Sequence, residues 1–150
     1  MKSADAPPLR PDGFRRARRE DIHALLALTS GPEAGRIRAL RRLLKTLVAD
    51  IYIRRKNDTI TGCVGVLYRR SLAHGGLVAT IDTLNCTSDE PAGSTELLDF
   101  ALARARRRGC VSVDFATADP GLEAALASRG FTSPARQWVA NLRKEEEEEK

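Results

Sequence analysis

Between residues 77 and 131 the chain switches repeatedly between strand-like and helix-like periodicity. "LVATIDTLNC" reads as a strand, and the fifteen residues from Thr95, "TELLDFALARARRRG", place Leu97, Leu98, Ala101, Leu102 and Ala105 on one helical face. That helix spans 94 to 108, carries Arg104, Arg106, Arg107 and Arg108 where they favour the helix dipole, and is stopped by Gly109. "CVSVDFATA" is a strand with almost no charge, as expected of one buried on both faces of a sheet. Asp119 then caps a helix with Pro120 at its first position, which runs to Gly130, and "RQWVANL" is a last strand. Each apolar face must be buried against another element, so this alternation demands a sheet covered by helices.

The N-terminal half supplies the rest of that sheet. Residues 1–13 include "APPLRPDG", lack periodicity and read as a flexible lead-in. A short strand follows at Phe14, then Asp21 caps a helix with Ile22, Leu25, Leu26 and Leu28 on its stripe and His23 off it, exposed. "AGRIRALRRLLKTLVA" continues as an amphipathic helix, apolar at Ile37, Leu40, Leu44 and Leu47 and basic at Arg38, Arg41, Arg42 and Lys45. "DIYIRRKNDTITGCVGVLYRR" is a hairpin turning at "KND", with Ile51 and Ile53 alternating with polar neighbours. The full order is β, α, α, β, β, β, loop, α, β, α, β. The expected fold class is a mixed α/β domain: a central, mostly antiparallel sheet with helices on both faces, over residues 14–142.

Composition narrows the environment. The chain has 150 residues, enough for one ordinary core, and no run approaches the ~18 apolar residues of a membrane span. "MKSADAPPLRPDG" lacks the apolar core of a signal peptide, so a soluble, cytoplasmic protein is expected. Cys63, Cys86 and Cys110 are an odd number without CxxC spacing and read as reduced core thiols. His23 and His74 are too few and too poorly accompanied for a metal cluster, so no metal site is expected. The net charge of +5 hides an asymmetry: "KEEEEEK", with five Glu against two Lys, contributes −3, so residues 1–143 carry +8. This basic body and acidic tail (143–150) leave two readings, solvated helix faces or attraction to a phosphorylated cofactor or acidic partner. A specific nucleic-acid reader is not expected, because aromatics are 5% of the chain and no reader motif appears.

The element order, together with "GSTELLDFALARARRRGCVSVDFATADPGLEAALASRGF", resembles the GCN5-related N-acetyltransferase family, the acetyl-CoA-dependent acyltransferases, over roughly residues 14–142. The resemblance implies a splay between strands 4 and 5, with the pantetheine arm of acetyl-CoA along the backbone of Leu84, Asn85 and Cys86. It also implies a pyrophosphate loop ahead of the long helix, which counting back from "RRRG" places on "DEPAGS", residues 89–94. Ala92, Gly93, Ser94 and Thr95 are then the cofactor-binding residues at the helix start. The loop departs from the family pattern, with Asp89 in place of Arg or Gln, Ala92 in place of the first Gly and Ser94 in place of the last Gly or Ala. Two carboxylates, Asp89 and Glu90, repel a pyrophosphate by on the order of 1 kcal/mol each, unless they point away and favour the helix dipole.

Asp82 is the only carboxylate in "LVATIDTLNC" and, on the face of Val78 and Thr80, is the candidate catalytic base, against the alternative of a strand-end Asp bound to backbone or Arg. The Tyr that many members use as general acid corresponds to Leu126, so that acid is absent. Tyr52, Tyr68 and His74 are candidates to flank an acceptor groove, with packing or an exposed loop as the alternative reading; Trp138 reads as core-edge packing and Cys86 as a packed thiol. The implied activity is transfer of an acyl group from acetyl-CoA to an amine, small molecule or protein. The altered loop and Leu126 keep a second reading open, an acetyltransferase-like binding or assembly module that has lost tight CoA binding. The resemblance also allows a homodimer paired through the last strands.

Overall fold

Asn57 and Asp58 both take left-handed backbone conformations (φ 51° and 63°), the arrangement that lets a two-residue turn match the twist of flanking strands. They join β2 (Ala49–Lys56) to β3 (Thr59–Ser71), and this hairpin is the centre of the sheet. The computed structural model describes residues 13–30, 33–87, 91–116, 120–133, 140 and 142. Within them β1 (Gly13–Arg16), β4 (Gly76–Cys86) and β5 (Ser112–Phe115) complete a five-stranded sheet in the order β1-β2-β3-β4-β5, antiparallel except for the parallel β4–β5 pair. The mixed α/β fold expected from the alternation is the fold observed. No helix among the described residues is long and apolar enough to cross a membrane.

Two layers of helix cover the sheet. On one face α3 (Pro91–Arg107) presents Leu97, Leu98, Ala101, Leu102 and Ala105, all buried as the periodicity requires, against Tyr52, Val64, Val66, Tyr68, Ala79 and Ile81. At about 2 kcal/mol per buried large side chain, this layer is the principal source of stability. Leu122 and Leu126 of α4 (Pro120–Ser128) are buried, and Leu126 joins that cluster. On the other face α1 (Ile22–Leu28) and α2 (Glu33–Leu43) pack Leu25, Leu40 and Leu43 against Ile51, Ile53 and Cys63. Burial, and then the Cys86 thiol, push the Cys63 thiol up to about 12, so it stays an inert thiol. None of the three cysteines forms a disulfide.

Several expectations are corrected. α2 ends at Leu43, not beyond Leu47: the carbonyl of Val48 already accepts the N–H of Tyr68 (2.8 Å), so strand pairing captures the end of the helical pattern and leaves Leu47 83% exposed. β2 is buried on both faces, with Asp50 and Tyr52 among its core residues, where alternation had suggested a polar side. β5 is only half-buried along its length because, among the described residues, it is the last strand of the sheet. The expected strand "RQWVANL" lies outside the described residues except for Ala140 and Leu142, which are not in a strand, and Trp138, Asp119, the tail 143–150 and the lead-in before Gly13 also lie outside.

Asp21 does not cap α1 by its side chain. It closes a 3-10 turn (Arg19–Asp21), accepting two hydrogen bonds from the Arg15 guanidinium (2.7 and 2.9 Å) and one from the Arg18 N–H (2.7 Å). Burial alone would raise its pKa, but these donors outweigh burial and hold the carboxyl below the ordinary aspartate range. A carboxylate with a depressed folded-state pKa contributes stability that is present above its unfolded pKa, about 3.9, and is lost as pH falls through the folded value. Urea titrations at pH 6 and pH 3 are therefore expected to lose a smaller increment of stability for Asp21→Asn than for the native chain.

Gly62 marks a close approach. A Cβ there would lie 2.8 Å from Leu97 Cδ1, 2.9 Å from Cys86 Sγ and 3.1 Å from the Asn85 carbonyl oxygen. Gly62→Ala is expected to cost about 1–3 kcal/mol by overpacking, read as a lowered urea midpoint with an unchanged m-value.

Candidate functional site

The opening between β4 and β5 begins with a local irregularity. Gly65 of β3 faces Thr83, but the next residue, Val66, faces Ile81, so Asp82 is the extra residue of a bulge in β4. The parallel pairing to β5 runs from Val78 opposite Ser112 to Ile81 opposite Phe115 and stops there. β4 continues to Cys86. Residues 82–86 stay hydrogen-bonded to β3 on one edge, while among the described residues their other edge has no β5 partner. A strand bent by a bulge and released by its neighbour turns one edge toward a gap.

Asp82 stands at the mouth of that gap. Its carboxylate is exposed and accepts a hydrogen bond from the Thr83 hydroxyl at 3.3 Å. A cavity of about 500 Å³ lies beside it, bordered by Arg69, Thr80, Ile81, Asp114 and Phe115. Arg69 pairs with Asp114 across this cavity at 3.3 Å, which leaves Asp82 as the carboxylate nearest the bulge without an arginine partner among the described ion pairs. The described partner of Asp82 is the Thr83 hydroxyl, neither a backbone group nor an arginine.

The helix start is displaced from its expected position. α3 begins at Pro91, so Ala92, Gly93, Ser94 and Thr95 form its first turn and are not a loop ahead of it. Proline at the first position supplies a pre-set φ and no N–H, which moves the start forward. The N–H groups of this first turn have no partner within the helix. Thr95 donates its hydroxyl to the Ala92 carbonyl at 2.9 Å, closing the turn. Asp89 and Glu90 lie outside the described residues. Gly93 is buried: a Cβ on it would sit 3.2 Å from Cys86 Sγ and 3.5 Å from Arg54 Nη1, so its lack of a side chain sets the helix start directly against the end of β4.

The structure thus brings Leu84, Asn85 and Cys86 to the first turn of α3. Leu84 and Cys86 pack toward the α3 core, and Asn85 pairs with Cys63 of β3. Arg54, which the sequence did not mark, is delivered to the same corner by β2. It donates to Glu96 (2.9 Å) and to Thr61 (3.2 Å), and only 14% of its side chain is exposed. Its alternation on β2 was legible, but the packing of that strand under the α3 start was not.

Other candidates fall elsewhere. Tyr52 and Tyr68 are core residues on the α3 face, capped by Arg104 (5.5 Å) and Arg108 (4.2 Å) over their rings. His74 pairs with Ser71 (2.8 Å) and borders a separate cavity with Ser112 and Arg129. Leu126 is packed in the core and carries no proton. Among the described residues no group of His, Cys, Asp and Glu could hold a metal ion.

No family model matches the chain, and no curated protein does. Solved structures do. A transcriptional regulator from Bacillus halodurans is 19% identical with a TM-score of 0.74, covering 87% of this chain and 99% of its own. A predicted acetyltransferase from Clostridium acetobutylicum, solved with acetyl-CoA, is 16% identical with a TM-score of 0.72, covering 87% and 96%. An aminoglycoside 6'-N-acetyltransferase from Acinetobacter haemolyticus is 14% identical with a TM-score of 0.70, covering 89% and 99%.

Proposed function

We propose that this chain, which has the fold of the GCN5-related acetyltransferases, transfers an acetyl group from acetyl-CoA to an amine. The observation that carries the reading is the release of residues 82–86 from β5 directly beside the first turn of α3. The residues present fit acetyl-CoA as co-substrate: the edge of β4 beyond its pairing with β5 suits an amide-bearing arm, and the first-turn N–H groups of α3 suit an anion. Arg54, paired with Glu96, stands at that corner, and Gly93 lets the backbone approach closely. Acetyl-CoA supplies an activated thioester. The amine nitrogen forms the new bond to the acetyl carbon, the carbon–sulfur bond breaks, and the sulfur leaves as thiolate.

Asp82 has the remaining proton to handle. Placed on the bulge, its carboxylate accepts the proton lost by the amine and passes it to water. With Leu126 in the position of a proton donor, the thiolate takes its proton from solvent. Isothermal titration with acetyl-CoA is expected to give a saturable heat in the micromolar range; absence of binding at millimolar acetyl-CoA would sink the reading and leave a binding module with an acetyltransferase-like fold.

A further inference from the structure

Asp82 also borders a second cavity. This one is lined by Leu25 of α1, by Leu40 and Leu43 of α2, by Ile51 and Leu67 of the sheet, and by Asp82 and Thr83. Its volume for water-sized occupants is about 50 Å³, and at ~10–15 Å³ each that is room for about four non-hydrogen atoms. The other polar groups around it are engaged. Thr29 donates its hydroxyl to the Leu25 carbonyl (3.0 Å) and accepts from Arg36 (2.9 Å), and the Asp50 carboxylate is held by Arg16, Arg108 (3.1 Å) and Tyr68 (2.9 Å).

Resting on the acetyl-transfer reading above, we infer that the acceptor is a primary amine with a short, uncharged aliphatic body of about four carbons, seated in this cavity with its nitrogen at Asp82. Of the two carboxylates that line this apolar pocket, Asp50 is held by Arg16, Arg108 and Tyr68, which leaves Asp82 to match one nitrogen and no second one. A second ammonium or a ring of hydroxyls buried among these leucines would lose its water without a partner. The surface outside disfavours polycations too, since Arg38, Arg41 and Arg42 stand exposed on α2. α2 has no fully buried residue, so this helix is the least tightly held wall of the site.

Ligand-observed NMR on the full chain tests this with two amines of equal carbon count, n-butylamine and 1,4-diaminobutane. Butylamine is expected to bind at least 10-fold more tightly. Gly65→Val should fill the cavity: Gly65 lines it, and a Cβ there meets only Thr83 Cβ, at an ordinary 3.7 Å. This variant is expected to weaken butylamine at least 10-fold while acetyl-CoA affinity changes less than 2-fold. Leu40→Phe, which fills the same space from the helix, is the second variant should Gly65→Val lose its folded circular dichroism. Equal or reversed affinities for the two amines, or butylamine binding indifferent to the filling variants, overturns the inference. Acetyl-CoA binding without any selective amine binding also overturns it and leaves the transferase reading standing; selective butylamine binding without acetyl-CoA binding does the reverse.

Discussion

The paired replacement of Arg16 and Arg108 by methionine lowers the folding stability by about 3–5 kcal/mol, because it leaves the Asp50 carboxylate buried without a counter-charge. Asp50 is fully buried, and its oxygens are held by Arg16, by Arg108 at 3.1 Å and by the Tyr68 hydroxyl at 2.9 Å. Burial first, and then the hydrogen bond to Asp50, raise the Tyr68 pKa, so that hydroxyl remains a donor. The two arginines are 54% and 29% exposed, so they keep water when Asp50 is removed, whereas Asp50 has no water to return to. The asymmetry sets the order of effects. Asp50→Asn, which removes the buried charge itself, is expected to cost less than half as much as the double replacement, and adding it to the double replacement is expected to restore part of the loss. Urea unfolding reads all three; the double variant should also melt roughly 10 °C lower. A double replacement that costs under 1 kcal/mol would mean that the network does not hold β1, β2 and the end of α3 together.

Asp82→Asn is expected to lower kcat/KM for acetyl transfer by about 10²–10⁴-fold, the range for losing one general base. The side chain is exposed and its described hydrogen bond is to the adjacent Thr83, so the melting temperature should stay within a degree or so. Asp114→Asn is the control. Asp114 borders the same cavity but pairs with Arg69, and its replacement should change kcat/KM by less than about 3-fold, within the small worth of an exposed ion pair. Equal losses in the two variants would remove Asp82 from the chemistry and assign the cavity a purely electrostatic role.

Periodicity carried the fold because it is a property of neighbours in sequence. The inward face of α3, the hairpin turned by Asn57 and Asp58, and the Pro120 start and Gly130 stop of α4 are each fixed within a few residues. Asp82 could be singled out by its charge in an otherwise uncharged strand. Its place on a bulge was not legible, although Gly65, one of two glycines in the facing strand, is the trace it leaves. Leu47 was misplaced for the opposite reason: helical spacing persists past the point where pairing of Val48 with Tyr68 takes the chain away. Arg54 and the apolar cavity depend on which strand lies beneath which helix, and no local pattern encodes that.

The order in which the strands lie also bears on how the chain assembles. β1 to β4 are neighbours in space as they are in sequence, so a chain emerging from the ribosome can zip them together one after another by closing short loops, apart from the α1–α2 excursion between β1 and β2. β5 alone must wait for the 17-residue α3 to be made and laid across the sheet. Among the described strands, the gap beside Asp82 is therefore at the last seam to close, and the opening left for chemistry lies where the only crossover in the sheet has to be laid down first.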